Sequence, residues 1–310
     1  MKRHLAYIFM IPALLFVGCG QPQNVPGNSS TLKIITSFYP IYEIVKQVGG
    51  ANVTIQNLVP AGAEPHDYEP TPQEIVNLNQ ADLVVYNGMG LEPWADKIIP
   101  ELQQNGSKTL NLSDYFKNNA ITNSPKTPGD AEYLPFDPHL WLDPVNYQKE
   151  VQTVTQKLVE IDPNHQTDYQ QNSQKFIKQL QELDLAYQNG FKSCKLNSFV
   201  TSHAAFAYLA NRYHLKMVAI SGLSPDAEPS SKVMAELTNL IRQNNIQYIL
   251  TESLVSPKIA DTLAQETGTK TLILNPLEGL TDQEIAKGKN YVSVMQDNLR
   301  SLQTALECGN

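Results

Sequence analysis

The feature that most limits the fold of this chain is a repeated alternation of short β-rich segments with helical stretches. In the first half, β-rich runs lie at 32–36, 53–59 and 81–86 and are separated by helix-like stretches such as 41–48. From residue 198 onward the alternation returns, with the runs SFVTS, KMVAIS, IQYILTE and KTLILN. A strand followed by a helix and another strand predicts a parallel sheet that helices cover on both faces. The pattern therefore predicts two α/β lobes of similar design.

A long helical segment separates the two series of strands. Asp143-Pro144 and Asp162-Pro163 each place a capping residue before proline, which suits the first position of a helix. The first helix is predicted to run toward residue 161 and the second to about residue 192. The second helix would have nearly 30 residues and a length of roughly 40 Å. Apolar residues recur at helical spacing in the second helix: Tyr169, Phe176, Leu180, Leu183 and Tyr187. We therefore predict a rigid connecting helix at 161–193, between an N-terminal lobe at 32–160 and a C-terminal lobe at 194–310.

The N-terminus predicts secretion. Lys2 and Arg3 precede an apolar run that is shorter than the roughly 20 residues needed to cross a bilayer, so residues 1–18 are predicted to be a signal peptide. The ending Phe16-Val17-Gly18-Cys19 resembles a bacterial lipobox, although leucine is usual in place of Phe16. Cys19 is therefore predicted to carry lipid, the alternative being a buried cysteine. Residues 19–31 are polar and rich in Pro, Gly and Ser, as a flexible tether is.

Charge and cysteine content narrow the possible partners and the compartment. Removal of residues 1–18 would leave 21 basic and 31 acidic residues, a balance that argues against a nucleic-acid partner. With Cys19 assigned to lipid, Cys194 and Cys308 remain as a pair in an oxidising compartment, and we predict a disulfide between them. The alternative is two separate buried thiols.

Parallel sheets usually bind small molecules and ions beyond the carboxyl ends of their strands. Four side chains that could coordinate a metal are predicted to lie in this region. His66 follows the second predicted strand, His203 follows SFVTS, and Glu278 follows KTLILN. His139 lies in a loop just before the helix at Asp143-Pro144. Each predicted lobe therefore contributes two candidates.

The histidine loops are constrained by proline. Pro65 and Pro70 flank His66 and bias the residues before them away from helix, which reduces the freedom of the loop. Such rigidity suits zinc ligands, because zinc–nitrogen distances near 2.0–2.1 Å tolerate little error. A single histidine in such a loop is, however, more often a surface or capping residue. The separations of 73, 64 and 75 residues between the four candidates form no local motif, so the residues alone leave both interpretations open.

Several stretches together carry a family resemblance: EPHDYEPTP, DPHLWLDP, TSHAAFAYLANRY, ISGLSPDAEPS and LNPLEGL. They resemble the metal-binding lipoproteins that deliver zinc or manganese to bacterial ABC importers. The resemblance covers nearly all of the mature chain. It implies two α/β lobes bridged by one long helix, with the metal in the cleft between them. It also implies that His66, His139 and His203 are ligands, and that Glu278 is the fourth ligand, as in the zinc branch.

The implied function is that of an extracytoplasmic, lipid-anchored monomer that captures Zn²⁺ for an ABC permease. Three imidazoles and one carboxylate suit tetrahedral zinc, whereas manganese favours oxygen-rich, higher coordination. Asp226, Glu228 and Glu252 are rival fourth ligands or partners of the histidine N–H groups. Residues 117–136 contain no histidine, so the histidine-rich capture loop of some zinc receptors is not expected.

Three other functions are alternatives for this sequence. A manganese receptor would belong to the same family. A zinc hydrolase would leave one metal position to water and could use Glu278 as a general base, but the chain has no nucleophile motif such as G-x-S-x-G. An adhesin would use the same lobes to hold a host protein, but no sequence feature singles out such a surface.

Overall fold

The computed structural model describes residues 31–118, 120–122, 135–225 and 229–309. The predicted signal peptide, Cys19 and nearly all of the predicted tether therefore lie outside the described residues. The first part of the chain contains strands β1 (Leu32–Thr36), β2 (Val53–Asn57), β3 (Leu83–Tyr86) and β4 (Thr109–Asn111), with helices α1 (Tyr39–Gly49), α2 (Pro72–Asn79) and α3 (Ala95–Gln104). Two longer helices follow, α4 (Pro144–Ile161) and α5 (Gln166–Gly190).

The last part of the chain repeats the first in its strand arrangement. It contains β5 (Ser198–Thr201), β6 (Lys216–Ala219), β7 (Tyr248–Thr251) and β8 (Lys270–Ile273), with helices α6 (Ala207–Arg212), α7 (Ser231–Gln243), α8 (Lys258–Thr267), α9 (Asp282–Ala286) and α10 (Tyr291–Ala305). The two sheets have the orders β2-β1-β3-β4 and β6-β5-β7-β8, and every paired strand is parallel. The predicted fold class, two similar α/β lobes with a long helix between them, is confirmed.

Each sheet has one point at which the strand order reverses. It lies between β1 and β3 in the first sheet and between β5 and β7 in the second. The connections that leave these two strands run to opposite sides, which opens a crevice at their carboxyl ends and makes this the usual ligand position in such sheets. The topology therefore points to the loops after β1, β3, β5 and β7.

The connecting segment differs in detail from the prediction. Helix α4 spans the predicted residues, with the Asp143 side chain accepting a hydrogen bond from the Val145 N–H at its start. The second helix is shorter than predicted, because Pro163–His165 forms a separate 3₁₀ turn in which Asp162 bonds to the His165 ring. Helix α5 then has 25 residues, about 37 Å at 1.5 Å per residue.

Buried tyrosines join the connecting helices to both lobes. Tyr147 of α4 donates a hydrogen bond to the Pro40 carbonyl at 2.7 Å and stacks on Tyr291 of α10 at 3.8 Å. Tyr187 of α5 donates to the Met295 carbonyl at 2.7 Å. Each aromatic pair adds about 0.5–1.5 kcal/mol beyond the burial of its area. One apolar core therefore runs from the first sheet through α4 and α5 to the second sheet.

The chain also has a covalent closure. A disulfide joins Cys194, just after α5, to Cys308, just after α10, across a sequence separation of 114 residues. In the chain-entropy description, closing a loop of this length stabilises the folded state by about 5 kcal/mol. In the described part of the chain, no helix combines the length and apolar character that a bilayer span requires.

Candidate metal centre

The four predicted ligands lie on loops at the junction of the two lobes. His66 is in a 3₁₀ turn (Pro65–Asp67) in the loop after β2, and His139 immediately precedes a 3₁₀ turn (Leu140–Leu142) before α4. His203 lies two residues beyond β5, and Glu278 lies between β8 and α9. All four are buried, with exposed fractions of 4%, 0%, 0% and 1% respectively. The structure therefore brings together every residue of the predicted site.

The donor atoms of this site have the spacing of a small coordination sphere. Glu278 Oε1 lies 3.1 Å from His139 Nε2, 3.2 Å from His203 Nε2 and 3.4 Å from His66 Nε2. The Nε2 atoms of His139 and His203 are 3.3 Å apart, and all four donors lie within 4.8 Å of one another. A tetrahedron with bonds of 2.0–2.1 Å has edges of about 3.3–3.4 Å. A small tetrahedral cation therefore fits these donors with little rearrangement.

The carboxylate of Asp137, which was not predicted as a site residue, orients His139. Asp137 Oδ1 lies 2.8 Å from His139 Nδ1 and also accepts the His139 backbone N–H at 2.9 Å. This pairing leaves Nε2 free for the centre of the site, as in carboxylate–histidine–zinc arrangements. The Asn87 amide, just after β3, donates to the Pro138 carbonyl and so holds this loop at the reversal point of the first sheet. The D-P-H sequence was the available signal for Asp137.

His203 has an equivalent partner across the reversal point of the second sheet. Glu252, directly after β7, accepts from the His203 backbone N–H at 3.1 Å and lies 2.8 Å from its Nδ1 through the same oxygen. Of the two roles considered for Glu252, the structure thus favours the partner of a histidine N–H group. Asp226 and Glu228, the other rival ligands, lie outside the described residues.

The loops that carry His66 and Glu278 contact each other across the two lobes. The Gly62 N–H donates to the Leu280 carbonyl at 3.1 Å. Gly279 also lies at this contact, where an added Cβ would be 3.5 Å from the Ala63 carbonyl oxygen, an ordinary van der Waals distance, and 3.1 Å from Leu254 Cδ1 of its own lobe. The closure of the two lobes therefore places His66 of one against Glu278 of the other.

The charges of the site are strongly coupled. Burial disfavours a charged imidazole, but the carboxylates of Glu252 and Glu278 outweigh it and raise the pKa of His203 well above its usual value. Asp137 and Glu278 raise the pKa of His139 in the same way, against its burial. Burial dominates at His66 and lowers its pKa. Burial also opposes the charge on Glu278, but the neighbouring histidines hold its pKa well below the usual range. The neighbouring carboxylates therefore favour protonation of His139 and His203, whereas burial disfavours protonation of His66.

Two buried atoms of the site have unused bonding capacity. His66 Nε2 and Glu278 Oε2 have no hydrogen-bond partner among the described residues, and both are inaccessible to solvent. Buried polar atoms are rarely left in this state, because an unsatisfied group costs about 1–3 kcal/mol. A cation at the centre of the four residues would bond to His66 Nε2, and it would also satisfy Glu278 Oε2 if the carboxylate bound through both oxygens.

A neighbouring cavity of about 280 Å³ lies beside the site. Glu64 and Ser202, which are close in sequence to His66 and His203, line it together with Ser221. Burial and the charge of Glu278 raise the pKa of Glu64 to about 9. Polar side chains of both lobes therefore line this cavity at the edge of the metal centre.

The chain has two α/β lobes, each with a parallel sheet, and they meet at three buried histidines and a glutamate. This combination defines a metal-binding solute-binding protein. Residues 34–305 match the family described as ZnuA, zinc-uptake complex component A, periplasmic. The chain is 39% identical over 310 residues to the high-affinity zinc uptake system protein ZnuA of Bacillus subtilis (strain 168), covering 96% of this chain and 97% of that protein. The chain belongs to this ZnuA family.

Two further comparisons involve a longer streptococcal protein. The zinc-binding lipoprotein AdcA of Streptococcus pneumoniae is 40% identical over 309 residues, and the match covers 98% of this chain but 61% of AdcA. The chain thus spans about three fifths of the length of that relative. The crystal structure of the Zn(II)-bound ZnuA-like domain of S. pneumoniae AdcA matches with a TM-score of 0.76 at 42% identity, over 90% of this chain and 100% of that domain.

Family membership decides among the predictions made from sequence. The predicted resemblance is confirmed, and so is the prediction of a binding protein without enzymatic activity. The zinc hydrolase alternative is therefore wrong. Relatives are described as lipoproteins or periplasmic components, which supports an extracytoplasmic protein.

Proposed function

We propose that this protein captures Zn²⁺ outside the cytoplasm with His66, His139, His203 and Glu278 and delivers it to an ABC-type importer. The observation that carries this proposal is the convergence of four buried donor atoms, drawn from both lobes, within 4.8 Å. The relatives named as zinc-binding and zinc-uptake proteins support the same ligand. The absence of a nucleophile motif and the family membership assign the site to binding rather than to catalysis.

The donor set favours zinc over manganese as the ligand. Imidazole nitrogen suits Zn²⁺, whereas Mn²⁺ prefers more oxygen ligands and a higher coordination number. The 3.1–3.4 Å spacing of Glu278 Oε1 to the three histidines fits tetrahedral bonds of zinc length. Octahedral coordination would need two further donors, and the carboxylates of Asp137 and Glu252 already pair with histidine Nδ1 atoms.

The site has the features expected of a capture and delivery protein. The orienting partners of His139 and His203 fix two ligands in advance, which reduces the ordering needed when zinc binds. His66 and His139 come from one lobe and His203 and Glu278 from the other, so separation of the lobes would divide the four ligands into two pairs and weaken the binding of the ion. Release to a permease would then follow opening of the junction.

We further propose that the protein acts as a monomer at the membrane surface, anchored through lipid on Cys19. Residues 1–18 would be removed as a signal peptide, and residues 19–31 would tether the two lobes to the membrane. The proposed partner is the membrane permease of the importer. The relatives named as lipoproteins support this arrangement.

Metal titration tests the proposed function. Zinc-free protein should bind one Zn²⁺ more tightly than Mn²⁺ in competition with a chromophoric chelator. The variant His203→Ala should lose more affinity than the roughly 100-fold that removal of an outer partner can cost. His214→Asn is the matched control, because His214 is exposed and has a left-handed backbone (φ +57°) that asparagine accepts. Unchanged zinc affinity in His203→Ala would refute the ligand assignment.

A further inference from the structure

The backbone beside Glu278 has a conformation that few side chains adopt. Leu277, immediately before it, has φ +60° and is fully buried. A bulky residue other than glycine is a genuine outlier in this left-handed region, so the surrounding structure must hold it there. The direction in which Glu278 leaves the main chain therefore depends on what fixes Leu277.

The Asn275 side chain fixes this turn through three hydrogen bonds. Its Oδ1 accepts from the Leu277 N–H at 2.7 Å, and its Nδ2 donates to Ser253 Oγ at 2.9 Å and to Glu284 Oε1 at 3.0 Å. Asn275 is 3% exposed, so water does not compete effectively for these bonds. The buried Asn275 side chain thus links the Leu277 backbone to Ser253, which follows β7, and to Glu284 in α9.

A second asparagine fixes the first. Asn298 of α10 accepts the Asn275 backbone N–H through Oδ1 at 2.8 Å and donates through Nδ2 to the Asn275 carbonyl at 2.7 Å. Asn298 is 1% exposed. Both backbone polar groups of Asn275 are therefore bonded to a single side chain on the C-terminal helix.

Glu278 differs from two of the histidines in how it is oriented. His139 and His203 each pair with a carboxylate, whereas the Glu278 carboxylate contacts the three histidines through Oε1. Its Oε2 has no hydrogen-bond partner among the described residues. In the described part of the chain, no side chain other than the three histidines contacts this carboxylate, so the backbone of its loop sets its position.

We propose that Asn275 is the positioning residue for the Glu278 ligand, and that Asn298 links this ligand to helix α10. The proposal rests on the proposed zinc-binding function. It predicts that Asn275 acts on the metal solely through Glu278, because its contacts reach the Leu277 backbone and none of the three histidines. The loop that carries the carboxylate ligand is thereby fixed from the C-terminal helix of the chain.

A thermodynamic cycle tests this role. Zinc affinity is measured for the unmodified protein, Asn275→Ala, Glu278→Ala and the double variant. Asn275→Ala should lose about 10- to 100-fold in affinity, the usual effect of an outer partner. In the Glu278→Ala background the same change should cost less than about twofold, because two residues that act through one contact are not additive. With Co²⁺ as the probe, Asn275→Ala should weaken the visible bands of four-coordinate cobalt.

A matched control separates positioning from general stability. Asn290→Ala removes the capping box of the same helix α10 and contacts neither Asn275 nor the metal centre. It should lower the melting temperature of the zinc-free protein while leaving zinc affinity within about twofold. If Asn275→Ala does not fold, Asn298→Asp carries the same cycle, because it keeps the Oδ1 acceptor and loses the donor to the Asn275 carbonyl.

The possible outcomes are distinct. An equal loss of affinity from Asn275→Ala with and without Glu278 would overturn the positioning role, as would unchanged affinity together with an unchanged cobalt spectrum. Unchanged affinity in Glu278→Ala alone would instead contradict the ligand assignment of the proposed function, and the positioning role would fall with it.

Discussion

Replacing Glu252 with glutamine is predicted to weaken zinc binding without displacing any ligand from the chain. Glu252 Oε1 lies 2.8 Å from His203 Nδ1 and accepts the His203 backbone N–H at 3.1 Å. Glutamine has a similar shape and retains an acceptor oxygen, but it has no charge. The change therefore removes the electrostatic support of the imidazole and leaves its hydrogen bond possible.

The size of the effect follows from the burial of the pair. Both Glu252 and His203 are almost fully buried, so their interaction is weakly screened. Loss of an outer carboxylate partner typically costs 10- to 100-fold in metal affinity, or about 1.4–2.7 kcal/mol. Glu252 Oε2 has no hydrogen-bond partner among the described residues, so the glutamine NH₂ group would be placed where no acceptor is seen. Glu252→Gln is therefore also expected to lower the free energy of unfolding of the zinc-free protein by about 1–3 kcal/mol.

Chelator competition at alkaline pH, where protons compete least for His203, and thermal unfolding of the zinc-free protein measure these two effects separately. Glu74→Gln is the control, because Glu74 accepts the Thr71 backbone N–H in a capping box but contacts no histidine in the described structure. It should lower stability and leave zinc affinity unchanged. Zinc affinity of Glu252→Gln within twofold of the unmodified protein would refute the reasoning.

The pKa of His203, the disulfide and Gly279 each support one further prediction. Zinc affinity should fall as the pH is lowered from 8 to 5, because the raised pKa of His203 means that zinc must displace a proton; calorimetry in buffers of different ionisation enthalpy would detect that proton, and an affinity that stays flat would contradict the prediction. The double variant Cys194→Ser, Cys308→Ser should lose up to about 5 kcal/mol of unfolding free energy in denaturant titrations, with zinc affinity unchanged. Gly279→Ala should weaken zinc binding in chelator competition by shifting the loop of Glu278, because its Cβ would lie 3.1 Å from Leu254 Cδ1 of the same lobe, and unchanged affinity would contradict this prediction.

Local sequence signals predicted those parts of the fold that local chemistry decides. The Asp-Pro pairs bound helix α4 at the predicted residues. Strand β4 was not predicted, because its three residues are too few to show a period. Helix α10 was also missed, although Tyr291, Val294, Met295, Leu299 and Leu302 are buried at helical spacing.

The metal centre was predicted for a different reason. His66, His139, His203 and Glu278 are separated by 64–75 residues, so their convergence depends on the docking of two lobes and not on any local pattern. The resemblance of whole motifs supplied what spacing could not. Asp137 was missed because its role depends on a turn that brings its side chain back to His139. The left-handed backbone at Leu277 has no sequence signal, since leucine gives no indication of positive φ.

The carboxylate partners of the histidines strengthen the bond to protons as well as to zinc. Glu252 makes His203 a better zinc donor, but together with Glu278 it also raises the pKa of that imidazole well above its usual value. Below that pKa, each pH unit adds competition from protons in the unmodified protein, whereas a glutamine at position 252 would lower the pKa and reduce that competition. The advantage of the unmodified protein over Glu252→Gln should therefore be largest at alkaline pH and should shrink as the pH falls. A ratio of affinities that is independent of pH would mean that Glu252 acts on the geometry of His203 and not on its basicity.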